Sequence, residues 1–253
     1  MKKYLISIEE AGSPRLNNFF IQDTFRHEIE NFKIFGVIGK QLSVGDYFDM
    51  AVAGKRRALT PGELGCSLSH IAALKDFINS DDEYAICFED DAIERFPIDL
   101  EKLNEEIISL QLKPCFFLSL GGIQFKICNR VRGRYLDQTL EGQKIIHIDS
   151  DFLENLSYAY AYIVDREMAK LLLEYHQTPK VYDHWQALTE QNTAFTFYAT
   201  YLFDHPIVEQ SAMHLSYLEQ ERKDCSIQKH RDSAGLRYWR RKFKKIWLAA
   251  YQP

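Results

Sequence analysis

Apolar runs of five to seven residues recur along this chain, separated by longer stretches in which apolar and polar positions alternate at helical spacing. Tyr4 to Ile8 predicts a first strand, ended by turn residues around Gly12, Ser13 and Pro14. Arg15 to Ile29 sets Leu16, Phe19, Phe20 and Ile29 at roughly helical intervals, and Phe32 to Ile38, closed by Gly36 and Gly39, predicts a second strand. Tyr84 to Phe88 carries no charge and no polar alternation, the pattern of a strand covered on both faces. Asp99 caps a helix with Leu100, Leu103, Ile107 and Leu110 inward. Strands are expected at 115–120, 158–164 and 195–201, with a helix over 166–175. The polar, Arg-rich region 124–143 reads as a flexible or partly stranded insertion. Without repeats or low-complexity linkers, the pattern predicts one α/β domain with a mostly parallel central sheet.

The clearest helix start is Thr60-Pro61-Gly62-Glu63. Thr60 suits the N-cap, Pro61 the first helical position, and Glu63 completes a capping box. Leu64, Leu68, Ile71 and Ile78 form the expected buried stripe. Glu63, Ser67 and His70 share a second, polar face, on which His70 by itself reads as a core histidine bonded to Ser67 or a backbone carbonyl.

Composition adds bounds. The chain has 253 residues, 46% of them hydrophobic and 26% charged, with a net charge of −5, which gives no sign of nucleic-acid binding. The five cysteines (Cys66, Cys87, Cys115, Cys128 and Cys225) form no C-x-x-C pair or framework, as expected of a reducing compartment. The opening apolar stretch is too short for a signal peptide, and no segment approaches the roughly 18 apolar residues of a spanning helix, so a cytosolic protein is expected.

Candidate chemistry collects at strand ends. The run Tyr84 to Phe88 delivers Glu89, Asp90 and Asp91 together, and ligands bind beyond the carboxyl ends of strands in open α/β sheets. Three adjacent carboxylates repel unless a cation sits among them, and hard divalent ions prefer oxygen ligands. Asp183 lies in a loop before Trp185, where it either serves chemistry or caps the next helix. His214 follows the last strand. The glycines make no G-x-G-x-x-G fingerprint.

Four segments, taken in order, resemble the bacterial lipooligosaccharide glycosyltransferases of family 25: L-T-P-G-E-L-G-C-S-L-S-H (59–70), C-F-E-D-D-A (87–92), A-Y-A-Y-I-V-D-R-E-M-A-K-L-L-L (159–173) with the later Asp183, and P-I-V-E-Q-S (206–211). The opening Y-L-I-S-I…R-L-N-N-F is also similar. Where the family commonly has an acidic residue before a glycine after its second strand, this chain has Ile38-Gly39. The resemblance implies a GT-A fold, Rossmann-like and nucleotide-sugar-binding, over residues 1–230. It implies an inverting, metal-dependent transfer of a hexose, galactose first, from a UDP-sugar to a lipooligosaccharide or lipopolysaccharide core. Glu89 and Asp91 would form a D-x-D-like pair for Mn²⁺ or Mg²⁺, with His214 as a third ligand. Ile8, Arg15, Glu63, His70, Asp90 and Gln210 would line the donor site. Asp183, preceded by Val181-Tyr182, would be the catalytic base.

From Arg231 to Lys245 there are seven basic residues and one acid, interleaved with Leu236, Trp239, Phe243, Ile246, Trp247 and Ala250. This spacing predicts that 231–253 forms a basic amphipathic helix, either an ordinary packed helix with a solvated basic side or one laid on a membrane. With a lipid-linked acceptor, it points to an anionic membrane surface, at the inner face of the inner membrane. Two other classes compete: metal-assisted phosphoester hydrolysis, which needs more ligands than are visible, and a non-catalytic glycan-binding protein at the membrane surface.

Overall fold

A computed structural model describes residues 1–190, 194–206, 221 and 236–253. Among the described residues ten strands form: β1 (Lys2–Ile6), β2 (Phe32–Phe35), β3 (Tyr84–Glu89), β4 (Ile93–Glu94), β5 (Phe116–Ser119), β6 (Gly133–Leu140), β7 (Gln143–Ile148), β8 (Ala161–Asp165), β9 (Thr196–Ala199) and β10 (Phe203–Asp204). The helices are α1 (Pro14–Phe20), α2 (Val44–Tyr47), α3 (Pro61–Ile78), α4 (Leu100–Leu110), α5 (Arg166–Tyr175) and α6 (Leu236–Lys244). Eight strands make one sheet in the order β2-β1-β3-β8-β5-β9-β7-β6, and β10 pairs with β4 apart from it. Within the large sheet β7 and β8 run against the other six strands.

Alternation along β3 shows how the layers arise. Ala85 and Cys87 face a core built with Leu74 and Phe77 of α3 and Met168 and Leu172 of α5. Ile86 and Phe88 face the opposite core, built with Phe19 of α1 and Leu103 and Ile107 of α4. A strand with both faces covered needs the unbroken apolar run that the sequence shows. The resulting helix–sheet–helix sandwich is a single Rossmann-like α/β domain of the GT-A kind.

One helix differs from the sequence expectation. α1 ends at Phe20, although helical spacing continued to Ile29. The chain turns back because Glu94 accepts from the Asp23 and Thr24 N–H groups, both at 2.8 Å, and Phe25 stacks on Phe19 with centroids 4.1 Å apart. The polar region 124–143 is partly stranded, in line with the expectation: its second half forms β6, which pairs with β7 through a hairpin whose two turn residues Glu141 and Gly142 both have positive φ. The cap and inward stripe of α4 are as the spacing predicts.

In the tail the described helix ends at Lys244, short of the expected residue 253. α6 lays cations on the domain: Arg240 pairs with Asp151 at 2.8 Å, Lys244 with Asp149 at 2.7 Å, and Arg241 with Glu154. Beyond the helix Ala249 exchanges backbone hydrogen bonds with Gly133 of β6 at 2.9 and 3.0 Å. Trp239, Phe243, Ile246 and Trp247 are left outward, Trp247 with 81% of its surface exposed.

Candidate active site

The long helix α3 sets the frame, and its first two turns explain the residues of its motif. The capping box forms: Thr60 Oγ1 accepts from the Glu63 N–H and Glu63 Oε2 accepts from the Thr60 N–H, both at 3.1 Å. Gly39 and Gly65 let the loop after β2 rest on the helix backbone. A Cβ on Gly39 would lie 1.7 Å from the Pro61 carbonyl oxygen, and one on Gly65 2.5 Å from that of Val37. Ser69 Oγ accepts from the Val37 N–H at 2.8 Å, and Ser67 Oγ donates to the Lys180 carbonyl at 2.6 Å. The face holding Glu63, Ser67 and His70 is therefore buried rather than solvated. It ties the sheet edge and the loop before Asp183 to one helix.

His70 departs from the expected partners. Its Nδ1 meets the Tyr162 hydroxyl at 3.0 Å and its Nε2 meets Glu89 Oε1 at 3.2 Å. Tyr162 and Tyr182 hydroxyls meet at 2.8 Å. The Tyr182 ring stacks between His70, at 4.0 Å and 8°, and His176, at 5.2 Å and 16°. Burial pushes both tyrosine hydroxyls far above their ordinary pKa. His176 is buried with neither ring nitrogen hydrogen-bonded among the described residues, and burial, with Lys180, His70 and Lys55 nearby, drives its pKa down to about 3.

The acidic trio is split by the end of its strand. Glu89 continues the alternation of β3 toward α3 and reaches His70. A turn closed by the Ala92 N–H on the Glu89 carbonyl at 3.0 Å then redirects the chain. Asp90 points to the other side, where Ser7 Oγ donates to it at 2.5 Å and Arg15 Nε pairs with it. Burial raises the Asp90 pKa to about 6 against the opposing pull of Arg15 and Ser7. Asp91 receives Arg15 Nη2 on Oδ2 at 2.8 Å, with His205 Nε2 3.3 Å from the same oxygen. Burial disfavours the Asp91 charge, yet the His205 hydrogen bond and the two cationic neighbours outweigh it and hold the pKa below the usual range. His205 is raised in turn: burial opposes its charge, and Asp91 overcomes that. Asp91 Oδ1 is buried and has no partner among the described residues. A buried, ionised oxygen of this kind fits a divalent cation.

Asp183 connects to the same region through the backbone. Its Oδ2 accepts from the Tyr158 N–H at 2.9 Å, and Tyr158, held at a φ of 78°, packs its ring 5.5 Å from that of His205. Tyr160 flanks His205 at 5.0 Å. Asp91, His205, Tyr158 and Asp183 thus form a continuous chain of contacts. Glu63 makes its cap and an ion pair with Arg57 at 3.1 Å. Ile8 stands half-exposed in the loop after β1. Gln210 and His214 lie outside the described residues. His205 is not among the residues that the sequence singles out. Its signal was the strand-end logic applied to Glu89–Asp91, since Asp204-His205-Pro206 directly follows an apolar run.

No curated protein matches the chain significantly. A family model does, over residues 1–186, which takes in α3, the acidic turn, β8 and Asp183. That match covers most of the chain, and with it the chain belongs to glycosyltransferase family 25, the LPS biosynthesis proteins, and is a glycosyltransferase.

Proposed function

We propose that the protein transfers a hexose, galactose first among the candidates, from a UDP-sugar to a lipooligosaccharide or lipopolysaccharide core with inversion. The observation that carries this reading is the strand-end turn, where Asp91 Oδ1 is buried with no hydrogen-bond partner among the described residues while Arg15 and His205 face the other carboxylate oxygen. Asp91 would hold a hard divalent ion, Mn²⁺ or Mg²⁺, which supplies Lewis-acid neutralisation of the departing diphosphate. Arg15 fixes the carboxylates of Asp90 and Asp91 in one orientation, so the ligand is presented without reorganisation. Glu89, its D-x-D partner at sequence level, is engaged by His70. His214 and Gln210 remain the proposed third ligand and a donor contact.

Asp90, Ile8 and the loop after β1 border the donor side, with Glu63 and His70 supporting it from α3. Asp183 is the proposed base. Tyr158 takes Oδ2 and orients the carboxylate, while Oδ1 has no hydrogen-bond partner among the described residues. As the acceptor oxygen bonds to the anomeric carbon, its proton passes to Asp183 and the bond to the diphosphate breaks on the opposite face. Inversion follows from that single displacement.

The acceptor is proposed to be lipid-linked and met at an anionic membrane surface. No helix among the described residues is long and apolar enough to cross a membrane. α6 and the turn after it instead hold Trp239, Phe243 and Trp247 outward beside Lys242 and Lys245, with no acid between 236 and 253. A donor screen tests the reading: UDP-galactose, UDP-glucose and the UDP-N-acetylhexosamines are offered with a truncated core oligosaccharide. Acceptor-dependent release of UDP from one donor is expected. Hydrolysis independent of acceptor, or no turnover with any donor, overturns it.

A further inference from the structure

We propose that Cys66, His70 and Glu89 form a binding site for a divalent cation of the zinc class, separate from the oxygen of Asp91. The Cys66 thiol sulfur, a ring nitrogen of His70 and a carboxylate oxygen of Glu89 lie within 4.8 Å of one another. Cys66 and His70 are four residues apart on α3, so one helical face presents both side chains. Glu89 meets them from the end of β3, with Nε2 of His70 already 3.2 Å from its Oε1. Bond lengths of about 2.0–2.3 Å to nitrogen, oxygen and sulfur put tetrahedral edges at about 3.3–3.6 Å, so a contraction of about 1 Å closes the set around one ion.

The donor chemistry selects the ion. A sulfur, nitrogen and oxygen set favours zinc-class ions, whereas Mg²⁺ and Mn²⁺ prefer oxygen alone. Binding requires the Cys66 proton to leave, and the thiolate and Glu89 then carry two charges that balance the cation. Orientation is already built. The Tyr162 hydroxyl occupies His70 Nδ1, and Tyr182 stacks on the ring, which leaves Nε2 as the ligating nitrogen. His70 is fully buried, whereas Cys66 and Glu89 are partly exposed, so the ion has an entry path and a fourth position open to solvent. The ion would clamp α3 to the end of the strand that carries Asp91.

The test uses the full chain, stripped of metal and titrated with Co²⁺ and then Zn²⁺. One equivalent of Co²⁺ should give a thiolate-to-cobalt charge-transfer band that Zn²⁺ abolishes. The band should vanish in Cys66→Ser and persist in Asp91→Asn and Cys225→Ser. Alkylation of the wild-type protein, mapped by peptide mass, supplies a readout that does not depend on a variant's folding: Zn²⁺ should protect Cys66. Absence of a stoichiometric band, its survival in Cys66→Ser, its loss in Cys225→Ser, or unprotected Cys66 in saturating Zn²⁺ overturns the proposal.

Discussion

Replacing His176 with Phe should remove an acid sensitivity built into the core. The His176 ring is buried between Tyr182 and Tyr175, and neither nitrogen finds a partner among the described residues. Burial, with Lys180, His70 and Lys55 nearby, lowers its pKa from 6.5 to about 3. The unfolded chain therefore takes up a proton as pH falls below 6.5, and the folded chain does so only near 3. Stability from this group is fully present above 6.5 and is lost progressively between 6.5 and 3. At about 1.36 kcal/mol per pKa unit, the loss at pH 5 is about 2 kcal/mol, and it approaches about 5 kcal/mol below pH 3. Phe keeps a flat ring against Tyr182 and cannot be protonated. Urea unfolding of wild type and His176→Phe from pH 7.5 to 5 measures the difference directly. The two free-energy curves should separate by about 2 kcal/mol at pH 5 relative to pH 7.5. Parallel curves would refute a neutral, unpartnered imidazole at this position.

Other expectations follow from the site and the tail. Asp91→Asn keeps the shape but removes the charge that Arg15 and His205 face, so turnover should fall by about 10²–10³-fold with the fold intact; full activity of the variant, or of wild type in excess chelator, contradicts the ligand assignment. Asp183→Asn retains an oxygen for the Tyr158 N–H and should abolish transfer while donor affinity holds; a collapse in donor affinity would move Asp183 to the donor site. Replacing Trp239, Phe243 and Trp247 together with Ser should abolish co-sedimentation with anionic vesicles at unchanged melting temperature, because all three are largely exposed; unchanged sedimentation removes the membrane role. Truncation before α6 should by contrast lower the melting temperature, since the ion pairs to Asp149, Asp151 and Glu154 and the pairing with Gly133 are lost. Thr60→Ala should cost about 1 kcal/mol by loss of the cap, a drop of about 2–4 °C in thermal unfolding.

The sequence by itself determined whatever depends on neighbours along the chain. The capping box at Thr60 and Glu63, the inward stripe of α4 and the buried run of β3 are local patterns, and they form as their spacing dictates. The order of motifs carried the family, and the strand-end acids marked one end of β3 as the place to look. Tertiary structure decided what depends on residues distant in sequence. Alternation of the strand and the turn after Glu89 sent three adjacent acids to different partners, His70, Ser7 with Arg15, and Arg15 with His205. Helical spacing could not show that α1 stops at Phe20, because Glu94 and Phe25 act there from outside the helix. Nor could amphipathic spacing say which face of α6 looks outward, since that depends on Asp149, Asp151 and Glu154, which lie more than eighty residues earlier in the chain. Periodicity reports that a face is distinct; only packing against the rest of the chain fixes what that face meets.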